Sequence, residues 1–294
     1  MVMHMTIERE GGLMKALTRR LPAAVFAMLV ITAASGLQPT PARALSGGGG
    51  VTIGRGFDAC TAPSTSSMKA WWTNTPWTWV GVYIGGNSRA CSQPNLTAAW
   101  LNTQFTTGWR FEFLWVGPQA PCTTFANRIS SSTSTAFNQG VSNAQSAFNA
   151  LVNLGVTNNA QGTPVIYDME AFDTSNSGCL AAVKSFVNGW VQQMHVAPGQ
   201  RAGYYGSSCG SAVDAMASIG HVPDYINGAD WDGNPSTSAI SCVASSHWTN
   251  HQRMKQYQGG HNETWNGVTI NIDSNCANGP LAPSATNFNN TACL

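Results

Sequence analysis

Apolar positions along the chain follow two rhythms that take turns. Short runs rich in Val, Ile, Tyr, Phe and Trp, most of them bounded by Gly, Pro or an acid, occupy residues 51–58, 79–84, 110–116, 164–170, 201–206, 224–230, 253–257 and 268–273. Such runs predict strands. Between them the spacing changes to steps of three and four. Phe137, Val141, Ala144, Phe148, Leu151 and Leu154 mark one helix face, ended by Gly155. Val183, Phe186, Val187, Trp190 and Met194 mark another within residues 180–196. Shorter helices are expected over 68–72, 96–105 and 211–219. Past Trp231 the helical rhythm fades, and residues 232–246 are rich in Gly, Pro, Ser and Thr with no period.

Strands that alternate with helices imply parallel βαβ units. Eight of them predict an α/β fold of the TIM-type (β/α)8 barrel class, with late helices reduced or missing. A doubly wound open sheet is the main alternative. The glycines at 47–50 precede the first strand instead of following it, so they do not form a phosphate-binding loop.

Composition changes the picture at the ends of the chain. Arg19 and Arg20 precede an apolar run over 21–37, and Ala42-Arg43-Ala44 offers a small-x-small cleavage site. Residues 1–44 therefore read as a secretory signal peptide, too short and too soon followed by Pro39 and Pro41 to span a membrane. Thr18-Arg19-Arg20-Leu21 resembles a twin-arginine export signal, with an ordinary basic leader as the competing reading. A Gly-rich spacer follows over 45–51, then a barrel domain over 52–280 and a polar tail over 281–294. Of the 14 Lys and Arg and 13 Asp and Glu, nine basic and eleven acidic residues lie after Ala44, a net charge of −2. That leaves no basic patch for nucleic acid. A monomeric extracellular protein is expected. All eight Cys (60, 91, 122, 179, 209, 242, 276 and 293) also follow the leader. An even count in an exported chain predicts four disulfides and no free thiol, though 105 pairings are open.

The candidate chemistry is acidic. In Pro164-Val-Ile-Tyr-Asp-Met-Glu170, strand alternation points Asp168 and Glu170 the same way, roughly 6–7 Å apart along the backbone. Asp58, Asp230 and Asp273 close three other runs, and in a parallel barrel all strand ends open on one face. Tyr83, Trp115, Gln119, Tyr205, Trp231, Gln256 and Tyr257 arrive with them. Acids ringed by aromatics and amides suit a sugar, whose ring faces stack on aromatics while its hydroxyls meet polar groups. A divalent cation held by Asp58, Asp168, Glu170 and Asp273 ranks below this, because the aromatics would then have no role. His247 and His251 lack the Glu of an H-E-x-x-H pattern, and no metal or cofactor is expected. Glu112 lies mid-strand, where the barrel interior is one place for it, but pairing with Arg110 or Arg201, or facing outward, is the expectation that ranks first.

The order of these pieces carries a resemblance. Gly56-Phe-Asp58, Gly81-Val-Tyr-Ile-Gly-Gly86, Val116-Gly-Pro-Gln119, Tyr167-Asp-Met-Glu170, Gly203-Tyr-Tyr205, Ala229-Asp-Trp231, Gln256-Tyr257 and Ile272-Asp273 span residues 56–276. Together they resemble the secreted bacterial glycoside-hydrolase-like domains classed as a domain of unknown function, relatives of the family 25 glycoside hydrolases, or lysozymes. The resemblance implies a barrel that loses its late helices and acts on peptidoglycan or a related glycan. It implies Glu170 as general acid, with Asp58, Asp168 and Asp273 shaping and charging the site. One mechanism proposed for such enzymes uses the substrate's acetamido group as nucleophile, held by an acid at a position like Asp168. The likeness is closer to the uncharacterised relatives than to the lysozymes, so a catalytically silent glycan-binding barrel is the alternative. The pattern departs at Phe113-Leu-Trp115, where a Tyr-His-Phe type of stretch is usual.

Overall fold

The computed structural model describes residues 45–46, 48–157, 160–283 and 293–294. The expected leader over 1–44 and most of the polar tail lie outside the described residues. Eight strands close a barrel: β1 (Gly50–Asp58), β2 (Trp79–Gly85), β3 (Arg110–Trp115), β4 (Pro164–Asp168), β5 (Arg201–Ser207), β6 (Tyr225–Ala229), β7 (Arg253–Trp265) and β8 (Val268–Leu281). Neighbours from β1 to β7 run parallel. The last strand does not follow the expected direction. β8 is antiparallel to both β7 and β1, because a hairpin rather than a crossover joins it to β7. At the hairpin tip Asn266 and Gly267 both have positive φ, 47° and 74°, the pairing a tight two-residue hairpin turn demands.

Early crossovers carry helices: α1 (Thr65–Trp72), α2 (Ala98–Thr107), α3 (Thr133–Asn153) and α4 (Ser177–Met194). Side chains of Ser64, Thr97 and Asn176 cap α1, α2 and α4 by accepting amide N–H groups of their first turns. In α4 the expected stripe of Val183, Phe186, Val187, Trp190 and Met194 is buried. In α3 the buried stripe is Ala136, Gly140, Ala144, Ala147 and Leu151, while Phe137, Val141 and Phe148 only flank it. The reason is backbone proximity. A Cβ on Gly140 would stand 2.0 Å from the Phe186 carbonyl, and one on Gly189 would stand 2.2 Å from that of Phe137. Each helix thus offers a glycine to the other's backbone, and larger residues are displaced to the sides.

The later crossovers shrink as expected. The β5–β6 connection holds only a 3-10 turn, Val213–Ser218, and residues 230–252 wind irregularly between β6 and β7. Cations take the place of a helix there. The Arg253 guanidinium donates to the carbonyls of Ser238, Ala244 and His247. Fully buried Lys255 donates to Asp232 at 2.9 Å and to the Ala239 carbonyl at 2.7 Å. Backbone groups that a helix would satisfy internally are satisfied by side chains instead. Four disulfides add ties: Cys60–Cys91, Cys122–Cys179, Cys209–Cys242 and Cys276–Cys293. Cys60–Cys91 and Cys209–Cys242 join loops that follow strands, while Cys122–Cys179 ties such a loop to the first turn of α4. Cys276 instead lies within β8, and it anchors the C-terminus through Cys293. Among the described residues no helix is long and apolar enough to cross a membrane.

Candidate active site

Two glycines make room for the first acid. On β1, Gly56 lies under the Trp79 indole, where a Cβ would come within 2.0 Å of the ring. On β2, a Cβ at Gly81 would sit 2.7 Å from that of Asp58. With both side chains absent, Asp58 turns inward at the end of β1 and is almost wholly buried. Three neutral donors hold it. Tyr83 Oη donates to Oδ1 at 2.8 Å, while Asn275 Nδ2 and Gln256 Nε2 donate to Oδ2 at 2.7 and 3.0 Å. Burial raises the Asp58 carboxyl, and the hydrogen bonds from Asn275, Tyr83 and Gln256 oppose the rise.

Asp273 reaches the same place from the opposite direction. The antiparallel register of β8 sets it directly across from Asp58. Burial, and then the Asp58 charge, lift its carboxyl to about 7. The two carboxyls titrate as an interacting pair, each affected by the other's charge state. Gln256 on β7 joins this pair to the aromatics. Its Nε2 reaches Asp273 Oδ2 at 3.4 Å, and its Oε1 accepts from Tyr205 Oη at 2.9 Å and from Trp231 Nε1 at 2.8 Å. The Trp231 ring lies against Gly259 and remains 65% exposed.

β4 delivers the second acid pair. Asp168 ends the strand facing inward, and Glu170 follows two residues later on the same side, at the rim. Gln119 fixes the turn between them: its Nε2 donates to the Asp168 carbonyl and its Oε1 accepts the Glu170 N–H. The Asp168 carboxyl is buried, and its Oδ1 has no hydrogen-bond partner. Burial, then the nearby Glu170 and Asp58 charges, push it well above the ordinary aspartate value. Partial burial also raises Glu170, whose carboxyl is still open to water. Asp58, Tyr83, Asp168, Glu170 and Asp273 line one cleft of about 290 Å³. The site therefore presents a buried carboxyl held by fixed dipoles, a buried acid with a free oxygen, and an accessible acid that keeps its proton to higher pH than usual.

Other expected site residues stand elsewhere. Trp115 points outward from β3 and donates through Nε1 to Asn143 of α3. Tyr257 is buried on the outer side of β7, beside Ser274. Asp230 lies 3.4 Å from Lys255 and accepts the Ser241 N–H, so it binds the β6–β7 connection. Gln119 is wholly buried and acts on backbone alone. Glu112 departs from expectation in the other direction. It faces neither arginine nor solvent but enters the barrel, where Asn227 Nδ2 donates to its carboxylate at 3.1 Å and burial lifts it to about 8. His247 bonds Asp214 and His251 bonds Asn278, so the two share no partner. Among the described residues no group of three or more His, Cys, Asp or Glu is placed to hold a metal ion.

The cleft wall also contains Arg89, Phe125, Asn271 and the Cys60–Cys91 bridge. Arg89 and Phe125 come from loops, where no periodicity exposes them. Asn271 belongs to the hairpin, which the Asn266-Gly267 dipeptide signals.

A family model described as "Rv2525c-like, glycoside hydrolase-like domain" matches residues 69–277. Among curated proteins nothing matches the chain. Solved structures with a similar fold include an uncharacterized B. stearothermophilus protein, at 14% identity and a TM-score of 0.52, covering 76% of this chain and 95% of that one. A family 25 glycosyl hydrolase from Bacillus anthracis aligns at 14% identity with a TM-score of 0.49, over 76% of this chain and 88% of that one. The Clostridium perfringens spore cortex lytic enzyme SleM aligns at 14% identity with a TM-score of 0.48, over 76% and 67%.

Proposed function

Since the chain belongs to the Rv2525c-like, glycoside hydrolase-like domain family, we propose that it hydrolyses a glycosidic bond in an extracellular glycan of the peptidoglycan type. In this reading residues 1–44 direct export, residues 52–280 form the catalytic domain, and the enzyme is a monomer. The observation that carries it is the open cleft holding both Asp168 and Glu170. A barrel whose mouth was plugged by a side chain or a disulfide loop would favour a silent binder. Here the Cys60–Cys91 bridge forms wall and leaves the mouth open.

The chemistry assigns each acid a different task. Glu170, raised by burial and reachable from water, donates its proton to the glycosidic oxygen as the bond breaks, and its carboxylate then takes a proton from the water that adds to the anomeric carbon. Asp168 turns its unpartnered Oδ1 toward an N–H of the substrate, as on an acetamido group. The Asp58–Asp273 pair supplies negative charge beneath the ring, where an oxocarbenium-like transition state gathers positive charge. Trp231 and Tyr205 bind the ring and its hydroxyls, and Gln256 links both to the acids.

The test is hydrolysis of peptidoglycan and of chitin-type oligomers by the mature protein and by Glu170→Gln. A loss of about 10²–10⁴-fold with glycan binding retained is expected, the usual worth of a general acid. Saturable binding by both proteins with turnover by neither would establish the silent glycan-binding barrel instead.

A further inference from the structure

The hairpin of β7 and β8 continues past the barrel. Asp273 opposite Asp58 is the last rung that β8 shares with β1 at this end. Beyond it β7 and β8 pair only with each other, through Asn271–Asn262 and Thr269–Thr264 to Val268–Trp265. This ribbon leaves the barrel at the cleft, whose wall includes Asn271 and Ile272, and its two faces differ in kind.

One face is spoken for. Trp77 and Trp265 donate indole N–H groups to Glu263 at 3.2 and 2.7 Å, and Trp71 donates to the Val268 carbonyl at 3.0 Å. Val268, Ile270 and Ile272 on the same side pack against the core. The opposite face carries Gly260, Asn262, Thr264, Thr269 and Asn271, all exposed. These side chains are ordered by each other: Asn271 Nδ2 donates to Asn262 Oδ1 at 2.9 Å, and the Thr264 and Thr269 hydroxyls meet at 2.7 Å. No charge lies among them. The face also runs unbroken into the site. Asn271 lines the cleft with Asp273. A Cβ on Gly260 would meet nothing within 4 Å except Asp273 Oδ1, at 4.0 Å, so the way from Asp273 onto the ribbon is open.

Resting on the glycan-hydrolase reading, we propose that this face is a substrate track: it holds sugar units of the same glycan strand beyond the one in the cleft, so the enzyme prefers a polymer to a short fragment. From Gly260 to Thr264 the track extends about 14 Å at roughly 3.4 Å per residue, long enough for more than one ring. Its chemistry fits an occupant rich in hydroxyl and acetamido groups. Paired amides and hydroxyls keep one another in place while offering their remaining donors and acceptors outward, so little side-chain entropy is lost on binding. An anionic partner would find no cation here, and an apolar one would find no greasy surface.

The experiment compares wild type with Asn262→Ala/Thr264→Ala on insoluble peptidoglycan and on a short chitin-type oligomer. The variant's KM for the polymer is expected to rise about tenfold, as the loss of one or two hydrogen bonds implies, with kcat/KM on the oligomer unchanged. Thr264→Val, which keeps the shape and strand preference while removing the hydroxyl, replaces the double variant if that one melts well below wild type. Equal effects on both substrates, or no effect on either, would overturn the track while leaving the hydrolase reading intact. Self-association of wild type that disappears in the variant, without a polymer effect, would assign the face to a second copy and also overturn it. A wild type that neither binds nor cleaves any glycan removes the hydrolase reading and the track with it.

Discussion

Gln119 carries Glu170: its side-chain oxygen accepts the Glu170 N–H at 2.8 Å, while its amide nitrogen donates to the Asp168 carbonyl at 3.0 Å. A side chain from the β3–α3 loop therefore sets the backbone from which the proposed acid projects. Gln119→Ala leaves these buried groups unmatched and should cost about 1–3 kcal/mol of stability. It should also cut kcat by more than tenfold, since a shift on the order of 1 Å at a reacting group is worth about 10²-fold. Thermal melting and steady-state rates on peptidoglycan measure both. A variant that melts lower but keeps full kcat would limit Gln119 to structural support.

The Asp58–Asp273 pair predicts a pH limb. Asp273 ionises at about 7, which adds negative charge beneath the ring and makes the Glu170 proton harder to lose. kcat/KM should therefore rise as pH climbs through about 7. In Asp273→Asn that ionisation is absent and the rise should be lost. Identical profiles in both proteins would exclude Asp273 as the group responsible.

Glu112 predicts a second pH effect, on stability rather than rate. Its carboxyl rises from 4.5 to about 8 through burial. Between those values the folded protein holds a proton that the unfolded chain has released. The stabilisation is complete below the lower value, falls by up to about 1.4 kcal/mol per pH unit across the window, and is gone above the upper one. Glu112→Gln keeps an acceptor for Asn227 and cannot ionise, so its melting temperature should depend less on pH across this window and exceed that of wild type at the alkaline end. Parallel pH–stability curves for the two proteins would contradict this.

The Cys60–Cys91 bridge closes a loop with a sequence separation of 31, for which chain entropy alone gives about 3–4 kcal/mol. Hydrogen bonds already tie the same loops. Gln93 accepts the Ala62 N–H and donates to the Cys60 carbonyl, and Thr61 donates to the Ser92 carbonyl. Cys60→Ser/Cys91→Ser should therefore lose less than the entropic figure, and the larger effect should be a raised KM as the cleft wall loosens. Thiol titration of the denatured, unreduced wild type should find no free thiol. Full unfolding of the double variant at room temperature would show that the Gln93 contacts depend on the bridge.

Much of this was legible in advance because β-branched runs and helical spacing alternate so regularly. The acids were legible because they close those runs: Asp58, Asp168 and Glu170 stand where the pattern places them. Direction was not legible. A strand's hydrophobic pattern reads the same both ways, so β8 looked like a further parallel strand ending in an acid when Asp273 in fact lies within a descending one. Parity failed where a strand is buried on both faces. In Arg110-Phe-Glu-Phe-Leu-Trp115 nothing in the residue types says that Glu112 and Leu114 turn inward and Trp115 outward. Asp230 was misplaced because its partner, Lys255, lies on another strand, and a cation buried beneath a loop leaves no local signature.

Closure of the barrel by β8 also sets an order of events. Asn275 donates to Asp58 across a separation of 217 residues, and β1 has β8 as one of its two barrel neighbours. A chain emerging from the ribosome amino end first displays Asp58 long before the strand that buries it exists. Until β8 arrives, the carboxylate remains wet, its neighbours Asn275 and Asp273 are missing, and the cleft lacks a wall. Such long-range pairing is slow to form because loop closure must come first. The protein is thus born inert: a glycan-cutting site, on this reading, comes into being only once β8 has been made and paired with β1. A chain truncated before Val268 should keep helical content yet bind no glycan.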